Sequence, residues 1–185
     1  PEALDTFKVV CMPERITVSG SSARCVAVHD DLESRKAVRG LGDYWNLDVA
    51  FVDPAWRLAE FRLLALDMDS TLITIESLDE VAAFAGKGED VAAITEAAMR
   101  GEIADYKESL RRRVAMLAGV DATLLQRVYD EKLALNDGAE RLVATCRAAG
   151  LHTLLVTGGF TFFTDRMQRR LSLDATRSNE LEIID

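Results

Sequence analysis

The sequence predicts an α/β protein in which a parallel sheet carries a long helical insert and follows a small α+β module. Three observations support this fold class. The apolar run Leu63–Leu66 ends abruptly at Asp67, and a second apolar run, at 153–156, ends at Thr157-Gly158-Gly159. Helix-like patterns flank the second run, and the stretch between the two runs is helical in pattern almost throughout. Continuous apolar runs are typical of parallel strands that are covered by helices on both faces.

The composition is that of a globular protein of 185 residues, with 49% apolar and 29% charged residues. The formal charge is 22 − 31 = −9, which argues against nucleic acid or an anionic membrane as a partner. No apolar run reaches the ~18 residues of a bilayer span, and no secretion signal is recognisable at the start. The three cysteines lie far apart without a C-x-x-C pair, so we expect reduced thiols and a cytoplasmic protein.

Residues 1–60 are expected to form the small α+β module. The runs FKVVCM, RITVSG and RCVAVHD are rich in β-branched residues and are separated by turn residues, which predicts three short strands. A charged helical pattern follows at 32–40 and an apolar piece at 47–52. No catalytic constellation is visible in this part, because His29 with the two aspartates that follow it is more typical of a surface turn than of a metal site.

The two apolar runs are predicted to be strands of one parallel sheet, built from residues 61–77 and 136–185. A helix at 139–149, ending at Gly150, leads into the second strand, and a further helix at 160–171 follows the glycines. In such sheets ligands bind at the carboxyl ends of the strands. The strand ends at Asp67 and Thr157 are therefore the expected position of a site.

The insert, residues 78–135, is predicted to be a helical cap. The segments VAAFAG, DVAAITEAAMRG and YKESLRRRVAMLAG each end at a glycine, and Asp121 then stands before ATLLQRVYDEKLAL as a residue type that caps helix starts. An insert of this length exceeds what a simple crossover needs. We expect it to lie over the carboxyl edge of the sheet, where it would exclude water and contact the substrate.

Asp67 and Asp69 suggest phosphate chemistry with Mg²⁺. Residues two apart can project to the same side, and two carboxylates in one place repel unless a cation neutralises them or one keeps a proton. One could attack phosphorus as a nucleophile while the other handles the proton of the leaving alcohol. The backbone N–H groups of Ser70 and Thr71 could help to hold the phosphate. The competing interpretation is a solvated surface turn.

Thr157-Gly158-Gly159 offers a hydroxyl at a strand end and two residues that can bring backbone donors close to an anion. Taken alone, the tripeptide is more typical of a tight strand-to-helix turn than of a phosphate site. Its position in the same predicted sheet as the two aspartates favours a phosphate-binding role.

Together the motifs resemble those of the phosphoserine phosphatases, Mg²⁺-dependent members of the haloacid dehalogenase superfamily. The matching segments are DMDST at 67–71, Glu76, ITEAAMRGE at 94–102, SLRRRV at 109–114 and TGGFTFF at 157–163. The resemblance covers about residues 61–185 and implies a Rossmann-like core with a helical cap. Related bacterial enzymes often carry an N-terminal regulatory-type domain, and the pattern of residues 1–60 is compatible with a degenerate one.

The resemblance also implies roles for eight residues in converting O-phospho-L-serine to L-serine through an aspartyl-phosphate, the last step of serine biosynthesis. Asp67 would be the nucleophile and a metal ligand, and Asp69 the general acid/base and a second metal ligand through its backbone carbonyl. Glu76 would accept the substrate ammonium, and Arg113 would bind the carboxylate with its planar guanidinium. The remaining four are Thr157 and Gly158, which would bind the phosphate, and Met99 and Tyr106, which would line the cap side of the pocket.

Two motifs of the family have no match in this chain: a lysine beyond the third strand, and a G-D-x-x-N-D type segment whose acid completes the metal shell. No lysine occurs after Lys132. We therefore expect the 185-residue chain alone to bind Mg²⁺ weakly and to turn over little or no phosphoserine. A sheet without its remaining strands has an open edge, which favours pairing with another chain and predicts a homodimer.

Two other functions remain open at this point. One is a related phosphatase or phosphotransferase that acts on another small phosphomonoester, such as phosphothreonine or phosphohomoserine. The other is a non-catalytic, amino-acid-binding regulatory protein in which residues 1–60 are the working part.

Overall fold

The structure, a computed structural model, describes residues 2–184 and contains two compact units, Pro1–Trp56 and Arg57–Asp185. The division lies slightly before the boundary at residue 60 that the sequence suggested. Each unit is described by itself. No helix within the described residues is long and apolar enough to cross a membrane.

The first unit contains two helices and one hairpin: α1 (Glu2–Cys11), β1 (Arg15–Ser19), β2 (Ser22–Val26) and α2 (Leu32–Trp45). The strands β1 and β2 are antiparallel, in a register that pairs Arg15 with Val26 and Ser19 with Ser22. At the start of α2, the Asp31 carboxylate accepts the backbone N–H of Ser34 at 2.8 Å. At its end, Asn46 adopts a left-handed conformation with φ 51°. These two caps make α2 longer than the pattern at 32–40 predicted.

One element of this unit was predicted wrongly. The run FKVVCM was expected to be a strand, but its first five residues lie in α1, which ends at Cys11. Leu4, Phe7 and Cys11 are all at least partly buried, and their spacing of three and four belongs to a helix. The valine pair favours a strand only locally, and packing of α1 against α2 overrides that preference.

The second unit begins with a 3₁₀ turn at Leu58–Glu60 and then alternates strands and helices. In chain order its elements are β3 (Leu63–Leu66), α3 (Ser77–Phe84), α4 (Gly88–Met99), α5 (Tyr106–Ala115), α6 (Thr123–Glu131), α7 (Ala139–Ala148), β4 (His152–Phe160), α8 (Thr161–Leu171) and β5 (Ala175–Asn179). The strands form one sheet in the order β3-β4-β5, and both pairings are parallel. The predicted α/β fold class is confirmed.

The two faces of this sheet differ in burial. Leu66 and Leu155 are register partners on the face that packs into the core, where Leu155 is fully buried together with Phe163 and Met167 of α8. On the opposite face, Leu63 remains 51% exposed and Val156 47% exposed. The prediction that the LLAL run is buried on both faces is therefore wrong for this chain. Its residues alternate between a partly covered face, with Leu64 and Leu66, and an open face, with Leu63 and Ala65.

The four helices α3 to α6 form the insert between β3 and β4, and the chain is fastened where it leaves and returns. Ile73 and Leu135 form an isolated antiparallel bridge, and Thr74 N–H donates to the Ala134 carbonyl at 2.9 Å. The amide of Asn136 donates to the carbonyls of Thr71 and Ile73. These bonds anchor the insert beside the carboxyl end of β3. The assignment of residues 78–135 as a separate cap domain stays a prediction.

Candidate active site

The aspartates that follow β3 project into one cavity because the chain is still extended there. Met68, between them, is fully buried in the core, whereas Asp67 and Asp69 on either side of it line the cavity. This is the alternation that an extended segment imposes on residues two apart. Asp67 is exposed, and its Oδ1 accepts the backbone N–H of Met68 at 2.7 Å.

The carboxylate of Asp69 is fixed by a single serine at the start of α3. Ser77 is fully buried and donates its backbone N–H to Oδ1 at 3.2 Å and its hydroxyl to Oδ2 at 3.1 Å. Burial raises the pKa of Asp69 to about 6, against the opposing effect of the two Ser77 hydrogen bonds, and the negative charges of Glu76 and Asp67 raise it further. A carboxyl with this pKa can exchange protons near neutral pH.

Glu76 is placed by a tight turn after the aspartates. Ser70 has a positive φ of 51°, an uncommon conformation for a residue other than glycine, and its hydroxyl donates to Glu76 Oε1 at 2.7 Å. The same turn contradicts one prediction. The Ser70 N–H donates to the Ile75 carbonyl and the Thr71 N–H to the Met68 carbonyl, so neither is free to hold a phosphate.

The strand β4 supplies the second wall. It was expected to end at Val156, but it continues through Thr157-Gly158-Gly159 to Phe160, where pairing with Asn179 of β5 resumes after an irregular step. The Gly159 N–H donates to the Thr157 hydroxyl oxygen at 3.0 Å. A side chain on Gly159 would come within 2.7 Å of the Met68 Cε and 3.2 Å of Asp69 Oδ2. Glycine at this position leaves room for Met68 and for the Asp69 carboxylate where the two strand ends meet.

The helix α5 supplies the side of the cavity that faces the strands. Asp105 caps its start by accepting the Lys107 N–H at 2.9 Å. Tyr106, Leu110 and Arg113 follow at intervals of four and three, which places them on one helical face, and all three line the cavity. The Arg113 Nε is buried and has no hydrogen-bond partner within residues 2–184.

The resulting cavity has a volume of about 180 Å³. Its lining residues are Asp67, Asp69, Glu76, Leu78, Tyr106, Leu110, Arg113, Thr157, Gly158 and Gly159. Seven of the eight site residues suggested by the sequence are among them. Met99 is not, because it ends α4 with its side chain 85% exposed.

The charges of the cavity favour a cation. Three carboxylates face one guanidinium in the lining, and a fourth acid, Asp79, stands near Arg113 and Glu76, with burial raising its pKa. No group of three or more histidine, cysteine or acidic side chains suited to a metal occurs in the described part of the chain. Asp67 and Asp69 nevertheless fit Mg²⁺, which commonly uses one or two carboxylates and completes its shell with water and substrate phosphate.

Sequence reasoning missed Ser77 as the residue that holds Asp69. A signal was present, since Ser77 directly precedes the apolar-acidic pattern of α3 and serine is frequent at helix starts. The contribution of Leu110 could also have been inferred, because it lies four residues after Tyr106 and three before Arg113.

Comparisons with known proteins identify relatives of this chain. Residues 64–185 match the family model of the haloacid dehalogenase-like hydrolases. A curated phosphoserine phosphatase from Albidiferax ferrireducens is 60% identical over 130 residues, which cover 70% of this chain and 55% of that protein. The chain thus spans a little over half the length of this relative.

Solved structures of phosphoserine phosphatases also match this chain. The unliganded structure of a probable phosphoserine phosphatase from Vibrio cholerae matches with a TM-score of 0.74 and 33% identity, covering 100% of this chain and 57% of that one. A phosphoserine phosphatase that holds an analogue of its phospho-aspartyl intermediate matches with a TM-score of 0.62 and 31% identity, covering 68% of this chain and 59% of that one.

Proposed function

This chain belongs to the haloacid dehalogenase-like hydrolase family, and from that premise we propose that its site serves the hydrolysis of O-phospho-L-serine to L-serine and phosphate. The observation that carries the proposal is the lining of one cavity. Asp67, Asp69 and Thr157 lie along the strand ends, and Glu76 and Arg113 approach from the turn and from α5. Groups for a phosphate, an ammonium and a carboxylate therefore share one space.

In the proposed reaction Asp67 attacks phosphorus, and the bond between phosphorus and the serine oxygen breaks. Asp69 gives its proton to that oxygen, which releases L-serine and leaves an aspartyl-phosphate. Asp69 then accepts a proton from water as the water attacks phosphorus, and phosphate leaves Asp67. The related structure with a phospho-aspartyl analogue supports this sequence of steps.

The pKa of Asp69, about 6, supports its double role. An aspartate at its ordinary pKa would hold almost no proton at neutral pH, whereas this carboxyl is protonated in roughly one molecule in ten at pH 7. It can therefore act as an acid in the first step and as a base in the second. Its hydrogen bonds to Ser77 keep the carboxylate oriented between the two steps.

Mg²⁺ would be held by the Asp67 carboxylate and the Asp69 backbone carbonyl, and it would supply positive charge against the substrate phosphate. The excess of carboxylates over cations in the cavity lining supports this assignment.

Substrate recognition would rest on Glu76 and Arg113. The Ser70 hydroxyl occupies one oxygen of Glu76, which orients the carboxylate for an ammonium group. The unpartnered Nε of Arg113 is costly unless a ligand accepts its hydrogen bond, and the planar guanidinium matches the geometry of a carboxylate. Tyr106 lines the same space, whereas Met99 would have to move to contact a substrate.

Measuring the binding of phosphomonoesters to the 185-residue chain tests this proposal. With Mg²⁺ present, we expect L-phosphoserine to bind at least tenfold more tightly than phosphoethanolamine, which lacks only the carboxylate. The Asp67→Asn variant should lose Mg²⁺-dependent binding, whereas Asp137→Asn, which changes an exposed acid outside the cavity lining, should not. Equal affinity for the two phosphomonoesters would refute the amino-acid specificity. A preference for phosphothreonine or phosphohomoserine in the same panel would identify the related phosphatase instead.

We also propose that this chain alone turns over phosphoserine slowly. Its proposed location is the cytoplasm. Arg113 is the single cationic side chain in the described cavity lining, and the proposal uses it for the carboxylate, so little protein charge offsets the phosphate. Phosphate release from L-phosphoserine measures this directly. Fast turnover by the 185-residue chain would refute slow turnover and leave the substrate assignment intact.

Self-association is a further part of the proposal. β3 is an edge strand whose exposed Leu63 lies beside the open face of the sheet, and such edges pair readily. We expect a homodimer in sedimentation experiments that Leu63→Lys weakens. Leu142→Lys on α7, with a similar exposure of 47%, should have no effect. A monomer at all concentrations would exclude this homodimer.

A further inference from the structure

Tyr106 makes a contact that its role as a lining residue does not explain. Its side chain extends from the first turn of α5 to the strand end of β4, where its hydroxyl oxygen lies against the backbone of Gly158. A side chain at position 158 would overlap that oxygen and would come within 3.2 Å of the ring carbon Cζ. The absence of a side chain at Gly158 is what allows the phenol to reach this position.

Tyr106 is 58% exposed and lines the cavity, and its hydroxyl oxygen is the part that reaches Gly158. This oxygen makes no hydrogen bond to another group among residues 2–184, so its proton is available to a ligand. A bound ligand at the cavity's strand-end wall would supply the missing acceptor.

The position of the hydroxyl identifies which part of a ligand it meets. It lies against Gly158, in a cavity that Thr157 and Asp67 also line, whereas Arg113 lies two helical turns further along the same face of α5. The Thr157 hydroxyl already accepts the Gly159 N–H, which directs its own proton elsewhere. A neutral donor opposite these groups suits an anion in a cavity that is rich in carboxylates.

We propose that the Tyr106 hydroxyl donates a hydrogen bond to a non-bridging oxygen of the substrate phosphate. This inference rests on the proposed function, and it assigns to α5 contacts with both ends of the substrate, the phosphate through Tyr106 and the carboxylate through Arg113. The helical insert would then take part in holding the reacting group, in addition to covering it.

The test compares Tyr106→Phe, which removes only the oxygen, with Tyr106→Ala, which also removes the ring. Tyr44→Phe is the matched control, because Tyr44 is a 77% exposed tyrosine of the first unit. Affinities for inorganic phosphate, L-phosphoserine and L-serine are measured by calorimetry with Mg²⁺ present. We expect Tyr106→Phe to weaken the binding of inorganic phosphate and of L-phosphoserine about 5- to 10-fold, as for the loss of one hydrogen bond. The affinity for L-serine should stay unchanged.

Three outcomes separate the explanations. Wild-type affinity for phosphate in Tyr106→Phe, with a loss only in Tyr106→Ala, would overturn the proposal and leave the ring as a cover. Equal weakening of L-serine and phosphate by Tyr106→Phe would also overturn it, because the effect would not be specific to phosphate. No saturable phosphate or phosphoserine binding by the wild-type chain would overturn the proposed function itself, and this assignment with it.

A second measurement tests the contact in solution without any ligand. Gly158→Ala should lower the melting temperature of the wild-type chain more than it lowers that of the Tyr106→Ala variant. The reason is that the Tyr106→Ala variant has no phenol for the new methyl group to overlap. Strict additivity of the two substitutions would show that the phenol does not lie against Gly158, and the proposal would fail.

Discussion

Replacing Ser77 with alanine should change the acidity of Asp69 while leaving the backbone in place. Ser77 is fully buried, and its hydroxyl donates to Asp69 Oδ2 at 3.1 Å, so the substitution removes one of two hydrogen bonds from the carboxylate. The backbone N–H bond to Oδ1 at 3.2 Å remains. Alanine fits the first turn of α3 and creates only a small void.

The size of the pKa change follows from the energy of the lost hydrogen bond. A hydrogen bond to a charged group contributes about 1.5 kcal/mol at the low end, and about 1.4 kcal/mol corresponds to one pKa unit. Because the hydrogen bond stabilises the ionised form, its loss should raise the pKa of Asp69 from about 6 to about 7. At pH 7 the carboxyl would then be protonated in about half of the molecules.

The assay is a pH titration of the Asp69 carboxyl carbon by NMR, in chain labelled at aspartate and kept free of divalent cations. Ser109→Ala is the control, since Ser109 is another buried serine, 4% exposed, that lies on α5 and makes no hydrogen bond to Asp69. An unchanged or lowered pKa in Ser77→Ala would refute the reasoning. A rise in both variants would show that general loosening of the cavity is the cause.

Three further outcomes are expected. Asp69→Asn should raise the free energy of unfolding by about 1–2 kcal/mol at pH 7 without Mg²⁺ and by much less at pH 4. The reason is that the folded state holds the Asp69 proton more strongly than the unfolded state does. The contribution of this group to stability is therefore lost as the pH rises from about 4 to about 6. A stability gain of equal size at both pH values would contradict this prediction. Leu155→Ala should cost about 2–5 kcal/mol in denaturant unfolding because Leu155 is fully buried, whereas Leu142→Ala, 47% exposed, should cost less than about 1 kcal/mol. Arg113→Ala should abolish the preference for L-phosphoserine over phosphoethanolamine, whereas Arg112→Ala, which removes an exposed ion pair with Glu108, should keep it.

Much of the site could be predicted because its parts are local. Asp67 and Asp69 directly follow an apolar strand, and Thr157 directly follows another, so the sequence alone places all three at one edge of a parallel sheet. The resemblance to the phosphoserine phosphatases added Glu76 and Arg113, whose own surroundings in the sequence are those of ordinary surface residues.

Other features could not be predicted, because they depend on contacts between distant residues. The α1 run FKVVCM has strand-like composition, and its packing against α2 decides in favour of a helix. The LLAL run is typical of a strand buried on both faces, yet one face of β3 is open and exposes Leu63. Burial depends on which elements cover a strand, and a short run of side chains does not contain that information.

By itself the sequence determined the type of chemistry. Paired carboxylates after a strand, with a hydroxyl and two glycines after the next, favour a site for an anion and a divalent cation, because side-chain alternation and parallel pairing fix where those groups project. The tertiary structure alone decided how the groups are tuned. The burial of Asp69 against Ser77 sets its pKa, and the placement of α5 over β4 brings the Tyr106 hydroxyl to Gly158 across some fifty residues of chain. Desolvation and close contact are properties of the packed chain, so neither can be read from the order of its residues.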